Sequence, residues 1–433
     1  MESILEKVLK RVDSAELYYV ESEVTPIEFK FDKLHSIDQK YVKGVGLRVI
    51  KDGKIGFSST TDLSKTDELI ENALLSAKFG QEAKFEFPKG KEGVSVNIVS
   101  KEIKHFPVEN GVDTGKEAIE LVKAGNSEIQ CDVRISKGIS RVRILNSNGL
   151  NTAYEKTVFS YYIIGFIILD GSFLWLSEGK RSCKLLLNTK EFVNKVLQKV
   201  ELAKNVAKVP TRKMNVIFMP EAMPNLLYAV QLGTNGKQVQ KGASPLTGRI
   251  GQKLLDERIS IWDDGTIDYG VGSAPFDDEG MRTQKTPLFE AGVLKGFLFD
   301  LQTAGMMNAK PTGNGSRSYD SLPSPGNTNL VVNHGELSLD NMIKSVKEGI
   351  IVYDVIGGGQ SNLLAGDFSL NVGLGYKIEN GELVGRVKDT MVAGNVYDAF
   401  KNIIGLGDKV EEIEGTFRTP AFHFKELNVT SKQ

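Results

Sequence analysis

Cysteine and histidine, the residues on which most zinc sites depend, are scarce in this 433-residue chain. The sequence holds two cysteines, Cys131 and Cys183, and four histidines. Two cysteines exclude a disulfide framework and a cysteine-rich zinc module. No two histidines lie within a few residues of each other, so a local His-pair metal motif is absent as well. We expect both cysteines to be small buried apolar residues.

An excess of charge of either sign is also missing. The chain has 54 Lys and Arg against 55 Asp and Glu, a formal net charge of −1, which argues against binding nucleic acid through a broad basic field. The most apolar stretch, 161–176, is interrupted by Asp170 and is shorter than the roughly 20 residues of a membrane helix. The charged N-terminus is unlike a signal peptide. We therefore expect a cytoplasmic protein without direct nucleic-acid or membrane contact, and a buried β-hairpin over 161–176.

Proline is rare, at 13 residues, whereas 44 glycines indicate many tight turns. The dipeptides Asp52-Gly53, Asp170-Gly171 and Asn380-Gly381 lie between apolar runs and predict β-hairpins. Helical spacing of apolar residues predicts further elements. The predicted helices cover 3–12, 66–78, 113–124, 190–206, 220–232 and 395–404, with Thr189 as the N-cap of the fourth.

These patterns predict an α+β fold with two domains. In the N-terminal domain, residues 1–208, helices pack on a mixed or antiparallel sheet. The C-terminal domain, residues 209–433, is rich in antiparallel β-strands. The boundary is expected near Pro210.

Most recognisable catalytic motifs are missing: there is no Gly-x-Ser-x-Gly elbow, no P-loop and no Gly-x-Gly-x-x-Gly. Gly44-Val45-Gly46 is half of a dinucleotide fingerprint, and we interpret it as a bulge or bend. Gly357-Gly358-Gly359-Gln360 lacks a lysine, and we interpret it as a flexible loop or a close backbone approach. His334 could be a general base, with a surface role as the default. His423 alternates with apolar neighbours and is expected to be structural.

Two acidic runs are candidates for metal binding. Asp263, Asp264 and Asp268 bracket Gly265, but the ligand pattern of a calcium loop is missing. The second run is Asp277-Asp278-Glu279. We expect both runs to be solvated turns.

One segment of the second half is denser in potential ligand groups. Residues 241–253 contain three glycines, two hydroxyls and three cations within thirteen positions. Such a loop can offer backbone N–H groups and positive charge to a carboxylate or a peptide carbonyl. A structural connector is an equal alternative. The candidate substrate-binding residues are Ser244, Arg249 and Gly251.

Several short glycine-containing segments follow one another along the chain. They are Gly44-Val45-Gly46-Leu47-Arg48-Val49, Gly53-Lys54-Ile55-Gly56-Phe57, Lys241-Gly242-x-Ser244, Gly248-Arg249-Ile250-Gly251, Asp263-Asp264-Gly265-Thr266, Gly357-Gly358-Gly359-Gln360, Gly381-Glu382-Leu383-Val384-Gly385 and Ala393-Gly394-Asn395. In this order they resemble the TldD/PmbA family, described as modulators of DNA gyrase. The resemblance extends over nearly the whole chain.

The resemblance implies that only one of the two branches of that family carries the metal ligands. Its catalytic, TldD-like branch is a metallopeptidase whose helix carries His-Glu-x-x-x-His, with a further Cys ligand near the C-terminus. Here the corresponding place, 225–232, holds neither His nor Glu, and 411–419 holds no Cys. The chain therefore resembles the PmbA branch, also called TldE. We expect no catalytic residue and no metal ligand in this chain, no cofactor of its own, and zinc only in a TldD-like partner.

The resemblance further implies a non-catalytic subunit that forms a heterodimer with a TldD-like metallopeptidase and processes unfolded or leader peptides. A homo-oligomer of the isolated chain is an alternative assembly. Two other functions stay open. One is an independent hydrolase whose site is built from distant residues, for example His334. The other is a gyrase-associated regulator.

Overall fold

The N-terminal half is built on one antiparallel sheet. The computed structural model describes residues 1–357 and 361–432 of the chain. Seven strands pair in the order β4-β3-β1-β5-β6-β7, with β2 paired to β1. They are β1 (Ser14–Lys30), β2 (Lys33–Ile37), β3 (Lys40–Lys51), β4 (Lys54–Thr60), β5 (Gln130–Asn146), β6 (Asn151–Leu169) and β7 (Ser172–Ser182). Both residues of Asp52-Gly53 and of Asp170-Gly171 have positive φ, as the predicted tight hairpin turns require.

Helices cover this sheet and confirm the predicted α+β class. They are α1 (Glu2–Val8), α2 (Thr66–Ala77), α3 (Lys101–Lys104), α4 (Val108–Gly125) and α5 (Thr189–Leu202). Val122 of α4 and Val196 of α5 are fully buried in one core with Val133 of β5. Asn188, rather than Thr189, occupies the N-cap of α5. The Thr189 hydroxyl instead accepts a hydrogen bond from the Tyr161 hydroxyl at 3.1 Å, a tertiary contact that a local capping rule does not see.

The C-terminal half combines short helices with many strands. The helices are α6 (Pro224–Thr234), α7 (Gly236–Gln240), α8 (Leu301–Met306), α9 (Leu339–Lys344) and α10 (Val396–Lys401), with 3-10 turns at Pro220–Ala222 and Leu363–Ala365. The strands are β8 (Val206–Ala207), β9 (Arg212–Phe218), β10 (Ile261–Asp264), β11 (Lys285–Glu290), β12 (Val293–Leu294), β13 (Gly315–Ser316), β14 (Ser324–Pro325), β15 (Leu330–Val332), β16 (Glu348–Gly357), β17 (Asp367–Glu379), β18 (Glu382–Val387), β19 (Thr390–Asn395), β20 (Ile403–Leu406), β21 (Glu411–Ile413), β22 (Phe417–Thr419) and β23 (Phe422–Ser431).

Two main sheets organise this half. One has the order β12-β11-β10-β15-β22-β21, and the other has the order β16-β9-β23-β19-β17-β18-β8, with β20 on β23. The second sheet closes on itself because β16 also pairs with β17. Most pairs are antiparallel, as predicted, but β9–β16, β8–β18 and β15–β22 are parallel. The strand β8 precedes the predicted boundary at 208 and yet belongs to this sheet; the boundary itself stays a prediction.

A buried ionic network joins the two halves. The Arg48 guanidinium contacts Glu16 at 3.1 Å and Glu279 at 2.7 Å. It also lies over the rings of Phe85 and Phe87, 4.7 and 5.0 Å from their centroids. Arg48, Glu16 and Glu279 are all buried, so each charge depends on its partners rather than on water.

Glu279 of the run 277–279 belongs to this network, and the expectation of a solvated turn for the run was wrong. Asp277 accepts hydrogen bonds from the backbone N–H groups of Gly315 and Met281. Asp278 accepts one from the Tyr18 hydroxyl at 2.9 Å. Burial raises the pKa of Asp277 and of Glu279. In the sequence, a short acidic run looks like a surface turn, because the residues that bury it and bond to it lie far away along the chain.

Gly44 and Gly46 allow a close approach between the halves. β3 pairs with β1 in continuous register at both positions, and with β4 at Gly46, so the predicted bulge or bend is wrong. A Cβ on Gly44 would lie 2.3 Å from the Tyr319 ring, and one on Gly46 would lie 2.5 Å from the Tyr319 carbonyl oxygen. The glycines are needed because only a hydrogen fits there.

The hairpin over 161–176 forms as predicted, but its tip is exposed rather than buried. Ile168 is 72% exposed and Phe173 is 65% exposed. Phe166 lies between Phe173 and Trp175, with ring centroids 5.7 and 4.7 Å away. Of the helices in the described residues, none combines the length and the apolar character that crossing a bilayer requires.

Candidate functional site

The helix α6 lies in the core of the C-terminal half. Pro224 occupies its first turn, where a missing N–H costs no hydrogen bond. Leu226, Leu227 and Val230 are fully buried, whereas Tyr228 on the same helix is half exposed. The Tyr397 hydroxyl donates to the carbonyl of residue 229 at 3.3 Å. The apolar side chains of α6 therefore hold it in place against its neighbours.

The three predicted substrate-binding residues lie in the loop that follows α7, and none of them is part of the lining of the neighbouring cavity. Ser244 is buried, and its hydroxyl donates to the Gly233 carbonyl at 2.6 Å and accepts from the Leu246 N–H at 3.1 Å. Its hydroxyl therefore ties the loop to the end of α6.

Arg249 and Gly251 lie further along this loop. The Nε of Arg249 donates to Gln252 Oε1 at 3.0 Å. The Gly251 N–H donates to the Leu294 carbonyl at 2.8 Å, and Gly251 takes a φ of +84°. Substrate contacts of Ser244, Arg249 and Gly251 stay predictions.

A cavity of about 590 Å³ lies beside this loop. Thr247, Gly248 and Ile250 of the loop form part of its wall. Its other apolar walls are Val239, Pro287, Phe297, Phe299 and Met307. This size lies within the usual range of small-ligand pockets, roughly 300–1,000 Å³.

Five polar side chains line the same cavity, namely those of Thr247, Thr286, Thr312, Lys295 and Lys310. The Thr286 hydroxyl is buried and has no hydrogen-bond partner within the described part of the chain. Lys295 and Lys310 are the charged residues of the lining. Lys295 also contacts Glu290 at 3.1 Å, in a pair open to solvent. The cavity therefore combines apolar walls, two cations and one unused hydroxyl.

The residues 263, 264 and 268 do not form a calcium loop. Asp263 is buried and accepts hydrogen bonds from Asn314 and Thr328, and burial raises its pKa to about 6. Asp264 and Asp268 bind separate partners, Thr266 and Asn97 respectively. The expectation of a solvated turn was wrong for Asp263, since tertiary amide and hydroxyl donors enclose its carboxylate.

The histidines lie apart from the cavity. His334 is exposed, and its Nδ1 is 3.0 Å from the Gly335 carbonyl oxygen. No carboxylate or cysteine thiol of the described residues lies within hydrogen-bond distance of the His334 ring. His423 is completely buried, and both ring nitrogens lack a partner in the described structure. Burial lowers its pKa to about 4, so His423 is a neutral core residue, as expected from its place between Phe422 and Phe424.

The cysteines are buried, as predicted. Burial raises the pKa of Cys131 to about 12, which keeps this thiol protonated near neutrality. Residues 358–360 of the Gly357–Gln360 motif lie outside the described residues. Gly357 ends β16 with a φ of +103°.

Two family models match this chain. The one described as PmbA/TldA metallopeptidase domain 1 matches residues 15–77, and the one described as PmbA/TldA metallopeptidase C-terminal domain matches residues 211–431, just over half of the chain. The chain belongs to the PmbA/TldD family of metallopeptidases. The resemblance found in the sequence is thereby confirmed.

Relatives of known sequence and structure agree with this family. An uncharacterized protein of Methanocaldococcus jannaschii is 31% identical, over 97% of this chain and 98% of that one. A protein named metalloprotease from Methanothermobacter thermautotrophicus is 27% identical, over 94% of this chain and 90% of its own length. The crystal structure of TldE from Thermococcus kodakarensis superposes with a TM-score of 0.92 and 24% identity, covering all of both chains. This last likeness establishes the fold.

A metallopeptidase family implies a metal, and the donor set of α6 does not fit zinc. Zinc takes Cys, His, Asp or Glu ligands, whereas residues 225–232 offer leucines, Tyr228, amides and small apolar side chains. Within residues 1–357 and 361–432, no group of three or more His, Cys, Asp or Glu side chains is placed to hold a metal ion.

Proposed function

We propose that this chain is a non-catalytic, PmbA/TldE-like subunit that pairs with a TldD-like metallopeptidase and holds extended peptides for it. The observation that carries the proposal is the composition of α6. Leu226 and Leu227 occupy the core at the place where the catalytic branch of the family is expected to carry its zinc motif. A helix whose inward positions are leucine and valine can position a loop, but it cannot ligate zinc or activate water.

The exposed tip of the β6–β7 hairpin favours a partner protein. Ile168, Phe173 and Trp175 are all exposed there, next to Phe166. Clustered apolar side chains in water typically mark an interaction surface. We assign this surface, defined by residues 166, 168, 173 and 175, to contact with the TldD-like subunit.

The first experiment is light scattering after size exclusion of the chain alone, a TldD-like subunit alone, and the mixture. The expected result is a new species whose mass equals one of each chain. Zinc is measured in every fraction, and we expect it only where the partner is present. Separate elution of the two chains, or about one zinc per copy of the isolated chain, contradicts the proposal.

A matched pair of variants tests the assigned surface. Phe173→Ser is expected to abolish or weaken the mixed species, because it removes an aromatic contact from the centre of the patch. Phe31→Ser serves as the control, since Phe31 is 64% exposed but lies on the turn between β1 and β2. Equal loss of complex in both variants would place the contact elsewhere.

The peptidase activity of the mixture tests the alternative that this chain is an independent hydrolase. An unfolded peptide substrate should be cleaved when the TldD-like subunit is present and should stay intact with this chain alone. Cleavage by the isolated chain that is lost in His334→Ala would instead support an independent hydrolase.

A further inference from the structure

The cavity beside the 244–251 loop has a chemical asymmetry that identifies its ligand. Its interior is formed by Val239, Phe297 and Phe299, which are buried apolar side chains. Its charged residues, Lys295 and Lys310, are both cations, and no carboxylate of residues 1–357 or 361–432 is part of the lining. A ligand that enters must therefore carry an apolar part that packs on the walls and a negative charge that pairs with the lysines.

The two lysines are available to a ligand. Lys310 is exposed and forms no ion pair with any described residue. Lys295 contacts Glu290, but both side chains are solvent-exposed, at 42% and 59%. Exposed pairs of this kind contribute little energy. An anion bound in a less hydrated cavity can therefore compete with Glu290 for Lys295.

Thr286 supplies a second, independent observation. Thr286 lines the cavity and is only 7% exposed to solvent. Its hydroxyl has no hydrogen-bond partner within the described part of the chain. Buried hydroxyls are normally hydrogen-bonded, and leaving one unpaired costs about 1–3 kcal/mol. A ligand oxygen in the cavity would provide the missing acceptor.

We propose that this cavity binds the C-terminal residue of a peptide, with an apolar side chain inside and the α-carboxylate held by Lys295 and Lys310. In a terminal residue the carboxylate and the side chain branch from the same Cα, so one residue satisfies the walls and the cations together. An internal acidic residue needs a second residue to fill the apolar space. The Thr286 hydroxyl donates to a carboxylate or carbonyl oxygen of the same terminal residue.

This inference rests on the proposed function in one respect, namely that the ligand is a peptide. It adds the end of the peptide that is recognised and the type of its last residue. A subunit that holds the C-terminus of an extended chain would place the preceding residues over the rim of the cavity.

The test uses the full chain and a fluorescein-labelled hexapeptide, Gly-Ser-Gly-Ser-Gly-Phe, with a free carboxylate. Fluorescence anisotropy compares it with the C-terminal amide, with the acid that ends in Ser, and with an amidated peptide carrying Glu before the final Phe. Loss of a charge-assisted hydrogen bond corresponds to about tenfold in affinity. We expect the amide and the Ser-ended acid each to bind about tenfold more weakly than the parent.

Variants then assign the contacts. Lys310→Gln and Lys295→Gln should each weaken the acid peptide and leave the amide unchanged. Thr286→Val keeps the shape of the side chain and should weaken both peptides by a factor of about three to ten. Lys344→Gln is the matched control, because Lys344 is exposed and does not line the cavity.

Three results would overturn the inference: no binding of the acid peptide, equal affinity for acid and amide, or equal affinity of the internal-Glu amide and the acid. All three are measured on the wild-type chain and do not depend on folding of a variant. The outcome is separable from that of the proposed function. Carboxylate-dependent binding without complex formation contradicts only the subunit role, and complex formation without such binding contradicts only this inference.

Discussion

His423 should make the stability of this protein depend on pH between about 4 and 6.5. The ring is completely buried and both of its nitrogens lack a partner among the described residues. Burial disfavours the charged imidazolium and lowers the pKa from 6.5 to about 4. In the unfolded chain the ring is hydrated and takes up its proton near the ordinary pKa.

The sign of the pH dependence follows from which state of the chain, folded or unfolded, binds the proton. Between pH 6.5 and 4 the unfolded chain binds this proton and the folded chain does not, so acidification favours unfolding. The contribution of His423 is therefore complete above pH 6.5 and is lost as pH falls toward 4. A shift of this size is worth about 3 kcal/mol in full, and about 2 kcal/mol of it is lost between pH 7 and pH 4.5.

The perturbation is His423→Leu, which keeps an apolar side chain of similar volume in the strand β23. Free energies of unfolding are measured by urea denaturation at pH 7 and at pH 4.5. At pH 7 we expect the variant to be at least as stable, since two unpaired buried nitrogens are removed. At pH 4.5 the variant should exceed the wild type by about 2 kcal/mol more than it does at pH 7.

The variant must be compared with the wild type at each pH, because Asp263 changes the pH dependence of stability in the opposite direction and is present in both proteins. Burial raises its pKa from 3.8 to about 6, so the folded chain binds that proton first and acidification through this range favours folding. His334→Leu is the control, since His334 is exposed to water in the folded chain, and it should follow the wild type. A difference between His423→Leu and wild type that is the same at both pH values would refute the reasoning.

Two further predictions concern the contact between the halves. Arg48→Met should lower the free energy of unfolding by about 3–5 kcal/mol, because it leaves the buried carboxylate of Glu279 without its cation and leaves Glu16 with Arg317 alone. Arg11→Met is its control, because Arg11 pairs with Glu71 at the surface, where both side chains are exposed. A comparable loss of stability in Arg11→Met, measured by thermal melting, would contradict the role of burial. Gly46→Ala should cost about 1–3 kcal/mol, since its Cβ meets the Tyr319 carbonyl. Gly138→Ala, with no atom nearer than 3.6 Å, should have little effect, and equal urea midpoints for both alanines would count against the close approach.

Local patterns predicted the secondary elements well. The hairpin turn at Asp52-Gly53 and the helix Thr66–Ala77 follow from preferences of a few adjacent residues, namely tolerance of positive φ and helical spacing of apolar side chains. The predicted end of α5 at residue 206 moved to Leu202. Ends depend on contacts such as that of Thr189 with Tyr161, which adjacent residues do not reveal.

The candidate site was only partly visible in the sequence. The loop around Ser244 stood out because glycines, hydroxyls and cations are dense there. The cavity beside it did not, since Thr286, Lys295 and Lys310 come from different segments. The unpaired hydroxyl of Thr286 has no sequence signature, because an unmet hydrogen bond is a property of the surroundings and not of the residue.

The sequence by itself determined the α+β class, the family, and the lack of zinc-ligand residues on the helix Pro224–Thr234. These depend on residue type, short-range spacing and turn chemistry, which act over a few positions. Only the tertiary structure decided that Glu279 faces Arg48, that His423 lacks a partner among the described residues, and that the tip around Phe173 is exposed. The first property is a contact between residues 231 positions apart. The other two depend on which segments pack around a side chain, and that packing sets its burial and its charge state.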